Sequence, residues 1–336
     1  MRRISVFGCF AVIIGVATSA ACAQTVSSTQ TVPGTSMEEA TTLVTPTGSI
    51  FGTLELPASN ARIPVVLIIA GSGPTDRDGN SKALPGANNS LKLLANGLAA
   101  HGIASVRYDK RGIAASMSAA GREEDLRFDN YVADAEGWLI KLRADPRFST
   151  VSVAGHSEGS LIGMIAARNE KADGYVSLEG AGRKPAQILV EQLTPQLPPE
   201  MLATSKHIMA LIEAGAPPDT TTIPPMLASL FRPSVRPYLV SWFKYDPAVE
   251  IAKLRIPVLI VQGSTDIQTS MTDAKALAAG YPGGRLLTIE GMNHVLKAAP
   301  PGRAEQMAAY TDPTLPVVPA LINETASFVN ALKRKN

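Results

Sequence analysis

The chain has 336 residues, of which 45% are hydrophobic and 18% are charged. This length can bury a large core, and α/β folds of this size occur as one domain. The 31 lysines and arginines nearly balance the 29 aspartates and glutamates, so the formal net charge is +2. That balance gives no electrostatic argument for a nucleic acid or an anionic membrane as a partner.

The N-terminus has the three parts of a secretory signal peptide. Two arginines precede an apolar run over residues 6–16, and small residues lead up to Ala23. We therefore expect residues 1–23 to be a signal peptide cleaved after Ala23, which places the mature protein in the periplasm or outside the cell. The apolar run is too short to span a bilayer. A lipoprotein acylated on Cys22 is the less favoured alternative, because no large aliphatic residue stands three positions before it.

This N-terminal segment also contains both cysteines, Cys9 and Cys22, so we expect no disulfide and no thiol chemistry in the mature chain. Removal of Arg2 and Arg3 with the signal peptide leaves equal numbers of basic and acidic residues, so the formal net charge of the mature chain is zero. The four histidines are scattered without a metal-binding spacing, and no G-x-G-x-x-G follows a strand. We therefore expect no metal, no cofactor and no stable membrane insertion, and the oligomeric state stays open.

The next segments predict an α/β architecture. Residues 24–44 are polar and rich in Ser and Thr, which favours a flexible leader. The alternation over residues 49–56 predicts an antiparallel edge strand. Six apolar, β-branched runs then alternate with helical patterns, which indicates a mostly parallel sheet covered by helices on both faces. These runs are residues 65–69, 104–108, 151–154, 174–178, 256–261 and 285–289.

The connection between the fourth and fifth of these runs is too long for an ordinary loop. It is rich in proline, with short helical stretches between. We interpret residues 183–245 as a helical cap inserted between two parts of an α/β core, residues 45–182 and 246–336. Most of the cap's apolar side chains are expected to pack it onto the core, and some to line a substrate pocket. They are Met201, Ile208, Met209, Leu211, Ile212, Met226, Leu227, Leu230 and Phe231.

The segment from Gly155 to Gly159 reads GHSEG between a predicted strand and a helical run. This order is typical of the nucleophile elbow, in which a serine lies on a sharp strand-to-helix turn. The positions two before and two after the serine must then be small, and Gly155 and Gly159 meet that need. Ser157 is therefore the candidate nucleophile. The alternative is a glycine-rich turn with a bystander serine.

A serine nucleophile needs a histidine base. His294 follows the predicted strand 285–289, which puts it in a loop beyond the end of a parallel strand. His101 and His207 lie in helical contexts, and the side chain of His156 is expected to diverge from the adjacent serine. His294 is the candidate base.

The base needs an orienting carboxylate between the serine and the histidine in the chain. Asp266 follows the strand 256–261 and is the candidate acid. Asp246 precedes Pro247 and is better explained as a helix N-cap. Asp273 lies near a helix start, where a carboxylate favours the helix dipole.

Two main-chain N–H groups are required to stabilise an oxyanion. One is that of Glu158, directly after the candidate nucleophile, and the other is expected from the loop after strand 65–69. We assign the second to Ser72, with Gly71 as the alternative. The polar run 76–80 nearby is predicted to be a loop braced by its own Asx turns. Asp109 and Arg111 are predicted to brace the neighbouring turn, and Glu179 follows a strand at the border of the pocket.

Taken together, these motifs resemble the α/β-hydrolase superfamily, in the branch of EstD-type esterases and serine aminopeptidase-like (S33-type) enzymes. The resemblance covers about residues 45–330. It rests on the loop 71–80, the turn 108–112, the elbow 155–159, the segment 246–258, the acid turn 263–266 and the base turn 291–294. It implies the α/β-hydrolase fold and hydrolysis through a serine, but it does not specify the substrate.

The expected function is a secreted serine hydrolase that cleaves carboxylic esters of small molecules through an acyl-enzyme. An apolar cap and the absence of an obvious acidic amine-binding pocket favour esters over amides. An aminopeptidase or amidase on the same triad is the alternative within this chemistry. A catalytically silent binding protein on a hydrolase fold is the alternative outside it.

Overall fold

A computed structural model describes residues 36–216 and 223–334. The predicted signal peptide and residues 24–35 of the predicted leader lie outside these ranges. Eight strands form one sheet in the order β1-β2-β4-β3-β5-β6-β7-β8. They are β1 Met37–Thr45, β2 Gly48–Leu56, β3 Ile63–Ile69, β4 Ala104–Tyr108, β5 Phe148–His156, β6 Gly174–Leu178, β7 Val258–Gly263 and β8 Arg285–Ile289.

The pairing within the sheet confirms the predicted α/β class. Strand β2 pairs antiparallel with both of its neighbours, whereas β3 to β8 pair parallel. The parallel strands are nearly continuous apolar runs because helices cover both of their faces. Val65, Leu67 and Ile69 of β3 face one core, and Val66 and Ile68 face the other. Burying each such side chain stabilises the fold by about 1.5–3 kcal/mol.

The helices flank the sheet and connect its strands. They are α1 Ser90–Ala100, α2 Phe128–Ala144, α3 Glu158–Asn169, α4 Pro185–Leu193, α5 Pro199–Glu213, α6 Ala228–Phe231, α7 Arg236–Phe243, α8 Pro247–Ile251, α9 Met271–Gly280, α10 Arg303–Ala309 and α11 Pro319–Asn330. Helices α2 and α3 pack on one face of the sheet, and α1 and α11 on the other. In the described part of the chain no helix has the length and apolarity to cross a bilayer.

The predicted leader extends too far. Residues 37–44 belong to β1, which pairs with the whole of β2 from Met37 opposite Leu56 to Thr45 opposite Gly48. Strand β1 lies at the edge of the sheet and none of its residues is buried; its Glu and Thr side chains are exposed or partly exposed. An edge strand with this polar composition is hard to distinguish from a flexible tail when only its sequence is read.

Helices α4 to α7 lie between β6 and β7, inside the range interpreted as a cap. Prolines stand in the first turn of α4, α5 and α7, where a missing N–H costs no helical hydrogen bond. Six of the predicted apolar cap residues are buried, namely Ile208, Met209, Ile212, Leu227, Leu230 and Phe231. Met201 and Leu211 are partly exposed, and Met226 is exposed. The cap packs on α2 through an aromatic cluster of Phe128, Tyr131, Tyr238, Trp242 and Tyr245.

Candidate active site

Ser157 lies at the turn between β5 and α3, with backbone angles φ 55° and ψ −121°. A positive φ is uncommon for a residue with a side chain, so this turn is strained. A Cβ added at Gly155 would come within 2.2 Å of the Gly159 carbonyl oxygen. A Cβ added at Gly159 would come within 2.4 Å of the Ile69 carbonyl oxygen. The turn therefore packs this tightly only because both positions are glycine.

His294 and Asp266 meet at the carboxyl edge of the sheet. Asp266 lies in the loop after β7 and His294 in the loop after β8. His294 Nδ1 lies 2.7 Å from Asp266 Oδ2, and both side chains are almost fully buried. Because an ionised carboxylate only accepts hydrogen bonds, Nδ1 carries the proton and donates. In the neutral ring, Nε2 is then free to accept a proton.

The Asp266 carboxylate is held in the charged form. Its Oδ1 accepts the main-chain N–H of Gln268 at 2.6 Å and that of Thr269 at 3.1 Å. Burial by itself would raise the pKa of Asp266, but His294 and these donors outweigh it and lower the pKa below its ordinary value. Asp266 therefore stays ionised at neutral pH.

The two rival carboxylates have other partners. Asp246 is the N-cap of α8, and its side chain accepts the Ala248 N–H at 3.1 Å, as predicted. Asp273 is fully buried and binds Arg183 through both carboxylate oxygens, at 2.9 and 2.8 Å. Asp273 therefore does more than interact with the helix dipole, as was expected, but its role is structural.

His156, whose side chain is expected to diverge from Ser157, lies against His294. Its ring centroid lies 4.8 Å from that of His294, and its Nε2 lies 2.7 Å from the His294 carbonyl oxygen. Burial lowers the pKa of His156 to about 3, so the ring is neutral at pH 7. The neutral ring donates its Nε2 proton to that carbonyl, which ties the elbow to the loop that holds His294. Nothing in the sequence revealed which way this side chain turns.

Glu179, at the end of β6, lies closer to the site than the sequence indicated. Its carboxyl group is fully buried and accepts the Gly263 N–H at 2.8 Å. Gln262 Nε2 lies 2.5 Å from its Oε2 and 3.4 Å from Asp266 Oδ2. Burial, and next to it the charge of Asp266, raises the pKa of Glu179 well above its usual range. The position directly after a buried parallel strand is the same signal that pointed to Asp266.

Solved structures of other proteins share the overall fold of this chain. Est1E from Butyrivibrio proteoclasticus, solved with ferulic acid bound, is 19% identical, with a TM-score of 0.54. The match covers 76% of this chain and 91% of Est1E. The α/β hydrolase GrgF from Penicillium sp. sh18 is 18% identical with a TM-score of 0.55, and the match covers 88% of this chain and 98% of GrgF. This chain has the α/β-hydrolase fold.

The sequence of this chain is similar to proteins of the expected branch. A profile of the Hydrolase_4 family, serine aminopeptidase S33, matches residues 87–213. Esterase EstD of Thermotoga maritima is 26% identical over 258 residues. That match covers 73% of this chain and 57% of EstD, so the chain spans little more than half the length of this relative. The resemblance to EstD-type and S33-type enzymes is confirmed.

Ser157 lines one cleft, and a second cleft lies beside the next residue, Glu158. The first, of about 70 Å³, is lined by Ser157 and His294 together with mostly polar side chains. The second, of about 20 Å³, lies under the cap and is lined by aromatic and aliphatic side chains of α7, by Leu230, and by the Lys110–Glu158 ion pair. Ser72 lines both clefts. Among the predicted apolar cap residues, Leu230 alone reaches the described lining of the second cleft.

The loop of Gly71 and Ser72 is held beside the elbow by Lys110. A Cβ at Gly71 would lie 3.0 Å from Ser157 Cβ, so the loop and the elbow are in contact. Lys110 Nζ donates to the Gly71 carbonyl at 2.5 Å and to Glu158 Oε2 at 2.9 Å. Within the described ranges, the main-chain N–H groups of Ser72 and Glu158 donate no hydrogen bond. Two donors next to Ser157 are thus open to a bound oxygen.

The polar loop 76–80 is braced as predicted. Asp76 Oδ1 accepts the N–H groups of Asp78 and Asn80, each at 2.9 Å. Arg77 pairs with Asp109 at 2.7 Å, which links this loop to the turn after β4. Over the described residues, no group of three or more His, Cys, Asp or Glu side chains could hold a metal ion.

Proposed function

We propose that the protein is a serine hydrolase that cleaves carboxylic esters of small molecules, with Ser157 as nucleophile, His294 as base and Asp266 as the orienting acid. The observation that carries this proposal is the His294–Asp266 hydrogen bond, in a cleft that His294 shares with a serine on a strained turn. Nucleophile, base and orienter are the parts that acyl transfer needs. The similarity to Esterase EstD supports the ester as substrate.

In the first half-reaction, His294 Nε2 takes the proton of Ser157 as Oγ attacks the ester carbonyl carbon. The negative charge moves to the carbonyl oxygen, which the N–H groups of Ser72 and Glu158 stabilise. The C–O bond to the alcohol then breaks, and His294 gives its proton to the leaving alkoxide oxygen. Asp266 stabilises the imidazolium and keeps the ring in the required tautomer.

In the second half-reaction, water takes the place of the alcohol. His294 removes a proton from water, the hydroxide oxygen bonds to the acyl carbon, and Ser157 leaves with the returned proton. The products are a carboxylic acid and a free enzyme. His294 must protonate the leaving alcohol, so the alcohol lies in the polar cleft on the His294 side and the acyl group lies on the side of the cap.

The described clefts favour an ester over a peptide N-terminus as substrate. An aminopeptidase needs a carboxylate to bind the α-amino group of its substrate. Glu158 is the carboxylate in the lining of the second cleft, and it already pairs with Lys110 and accepts the Tyr238 hydroxyl. The charge of Glu158 is therefore balanced within the protein and is not left to bind the amino group of a substrate.

The test is Ser157→Ala, assayed on p-nitrophenyl acetate and on aminoacyl p-nitroanilides. We expect the wild type to hydrolyse the ester, and the variant to lose on the order of 10⁶ in kcat. Labelling by a fluorophosphonate should disappear with it. The matched control is Ser118→Ala, an exposed serine outside the site, which should behave as the wild type. A folded Ser157→Ala protein with more than a few per cent of activity would refute the assignment, as would a wild type that prefers the anilides.

We also propose that the protein is exported and that residues 1–23 are removed. The support is the charged, apolar and small-residue order of the N-terminus. Intact mass of protein expressed from the full-length gene in a Gram-negative host should show Gln24 as the first residue. Recovery of the protein with Met1, or with a lipid on Cys22, would contradict this.

A further inference from the structure

Two carboxyl groups meet at the ends of neighbouring strands in this site. Glu179 directly follows β6, Asp266 lies in the loop after β7, and both side chains are buried. The amide nitrogen of Gln262 lies between them, 2.5 Å from Glu179 Oε2 and 3.4 Å from Asp266 Oδ2. Two negative charges that share one buried amide disfavour each other strongly, so the pair holds a proton.

The surroundings decide which carboxyl group holds that proton. Asp266 has the His294 ring on one oxygen and two main-chain N–H donors on the other. Glu179 receives one main-chain N–H, from Gly263, and one side-chain amide. The larger number of donors favours the charged form at Asp266, so Asp266 is the anion and Glu179 the acid.

The backbone at Glu179 shows that its position is enforced. Its φ is 48°, which is uncommon for a residue with a side chain. Its N–H donates to the Val261 carbonyl at 3.0 Å. The Thr269 hydroxyl lies 3.2 Å from the Glu179 carbonyl oxygen and 2.8 Å from Asp266 Oδ2. Main chain and side chain of Glu179 therefore both brace the acid turn.

We propose that Glu179 is a positioning residue, an uncharged acid that donates a hydrogen bond to Asp266 and thereby fixes the direction and the basicity of the carboxylate that holds His294. The inference rests on the proposed function. The titratable groups that face Glu179 are Asp266 after β7 and Tyr310 at the end of α10. His294 is reached through Asp266. With the donated hydrogen bond, Asp266 attracts a proton on His294 less strongly than it would alone.

The experiment compares Glu179→Gln, Glu179→Ala and Glu179→Leu by the pH dependence of kcat/KM on p-nitrophenyl acetate. Gln keeps a neutral donor of the same shape, so its acidic limb should match that of the wild type. Ala and Leu remove the donor, so Asp266 becomes more basic and His294 protonates more readily. We expect their acidic limb to move up by about half to one pH unit and kcat to fall about tenfold.

The matched control is Glu55→Gln, a buried glutamate bonded to Arg107 outside the site. It should lower the melting temperature without moving the acidic limb. The inference is overturned if Glu179→Ala and Glu179→Leu both keep the acidic limb and the kcat of the wild type. It is also overturned if the acidic limb of Glu179→Gln moves as far as that of Glu179→Ala. Either result leaves the proposed function standing, whereas a wild type without Ser157-dependent ester hydrolysis refutes both.

Discussion

Three aspartates competed for one role in the sequence, and their side-chain contacts now separate them. Asp266 bonds His294, Asp246 caps a helix, and Asp273 binds Arg183. Asp266→Asn places an amide against Nδ1 and favours the wrong imidazole tautomer. We expect kcat on p-nitrophenyl acetate to fall by about 10⁴, the size reported for the equivalent change in a serine protease.

The control for this prediction is Asp246→Asn. An asparagine caps a helix about as well as an aspartate, so kcat and the melting temperature should barely change. Melting curves must accompany the rates, because a variant that unfolds would imitate a catalytic loss. If Asp266→Asn keeps near-normal kcat, the acid has been misplaced.

At the residue scale, the sequence indicates which loops converge but not how side chains turn within them. Parallel strands end at one edge of a sheet, so residues that follow strands β5, β7 and β8 are expected to meet. That reasoning led to Ser157, Asp266 and His294. It did not reveal that the His156 ring lies beside His294, because the direction of a side chain in a strained turn depends on packing from other elements.

At the element scale, composition predicted the apolar strands well and the polar strand β1 poorly. The runs 104–108 and 174–178 coincide with β4 and β6, which are buried throughout. The run 285–289 coincides with β8, a partly exposed strand at the other edge of the sheet whose apolar residues carried the signal. Strand β1 was missed because one of its edges faces solvent and its polar residues carry no such signal. Residues 183–245 are interpreted as a cap from their length and composition, but these do not reveal that α7 is the helix whose side chains line the second cleft.

An ion pair between buried Asp273 of α9 and partly exposed Arg183 joins the cap to the core. Asp273 also accepts the Gly182 N–H at 3.1 Å, where the chain enters the cap. Asp273→Asn leaves the Arg183 guanidinium, which is 27% exposed, with Glu191 as its remaining acidic partner. We expect the unfolding free energy, measured by urea denaturation, to fall by about 2 kcal/mol. The loss is smaller than for a fully buried ion pair because the Arg183 guanidinium can turn toward solvent.

The kinetic readout separates this structural role from catalysis. Below its melting temperature the Asp273→Asn protein should keep kcat within about twofold, since Asp273 is not bonded to His294. The matched control is Asp125→Asn, a carboxylate with a 67% exposed side chain whose loss should cost less than about 0.5 kcal/mol. A large fall in kcat of folded Asp273→Asn would make Asp273 part of the catalytic machinery.

At the scale of the whole molecule, two buried groups of the site make the stability of the fold depend on pH. His156 and Glu179 are both buried in the uncharged form, one a base and the other an acid. An unfolded chain lets each of them ionise freely. Their effects on stability therefore have opposite signs, and the two pH windows overlap between 4.5 and 6.5.

The sign for His156 follows from its pKa of about 3 in the folded protein against 6.5 in the unfolded chain. Between these values the unfolded chain binds the extra proton, so stability falls as pH falls below 6.5. Glu179 has an unfolded pKa near 4.5 and a raised folded pKa. Between those values the folded protein binds the extra proton, so stability falls as pH rises above 4.5.

Urea denaturation from pH 3.5 to pH 9 should therefore resolve the two groups by substitution. Each contributes a slope of up to about 1.4 kcal/mol per pH unit within its own window. His156→Gln cannot be protonated, so it should lose stability less steeply than the wild type between pH 6.5 and 3.5. Glu179→Gln cannot ionise, so it should lose stability less steeply than the wild type above pH 4.5. If the plots of unfolding free energy against pH are parallel for wild type and Glu179→Gln, Glu179 is already charged in the folded protein. If they are parallel for wild type and His156→Gln, His156 is already charged in the folded protein.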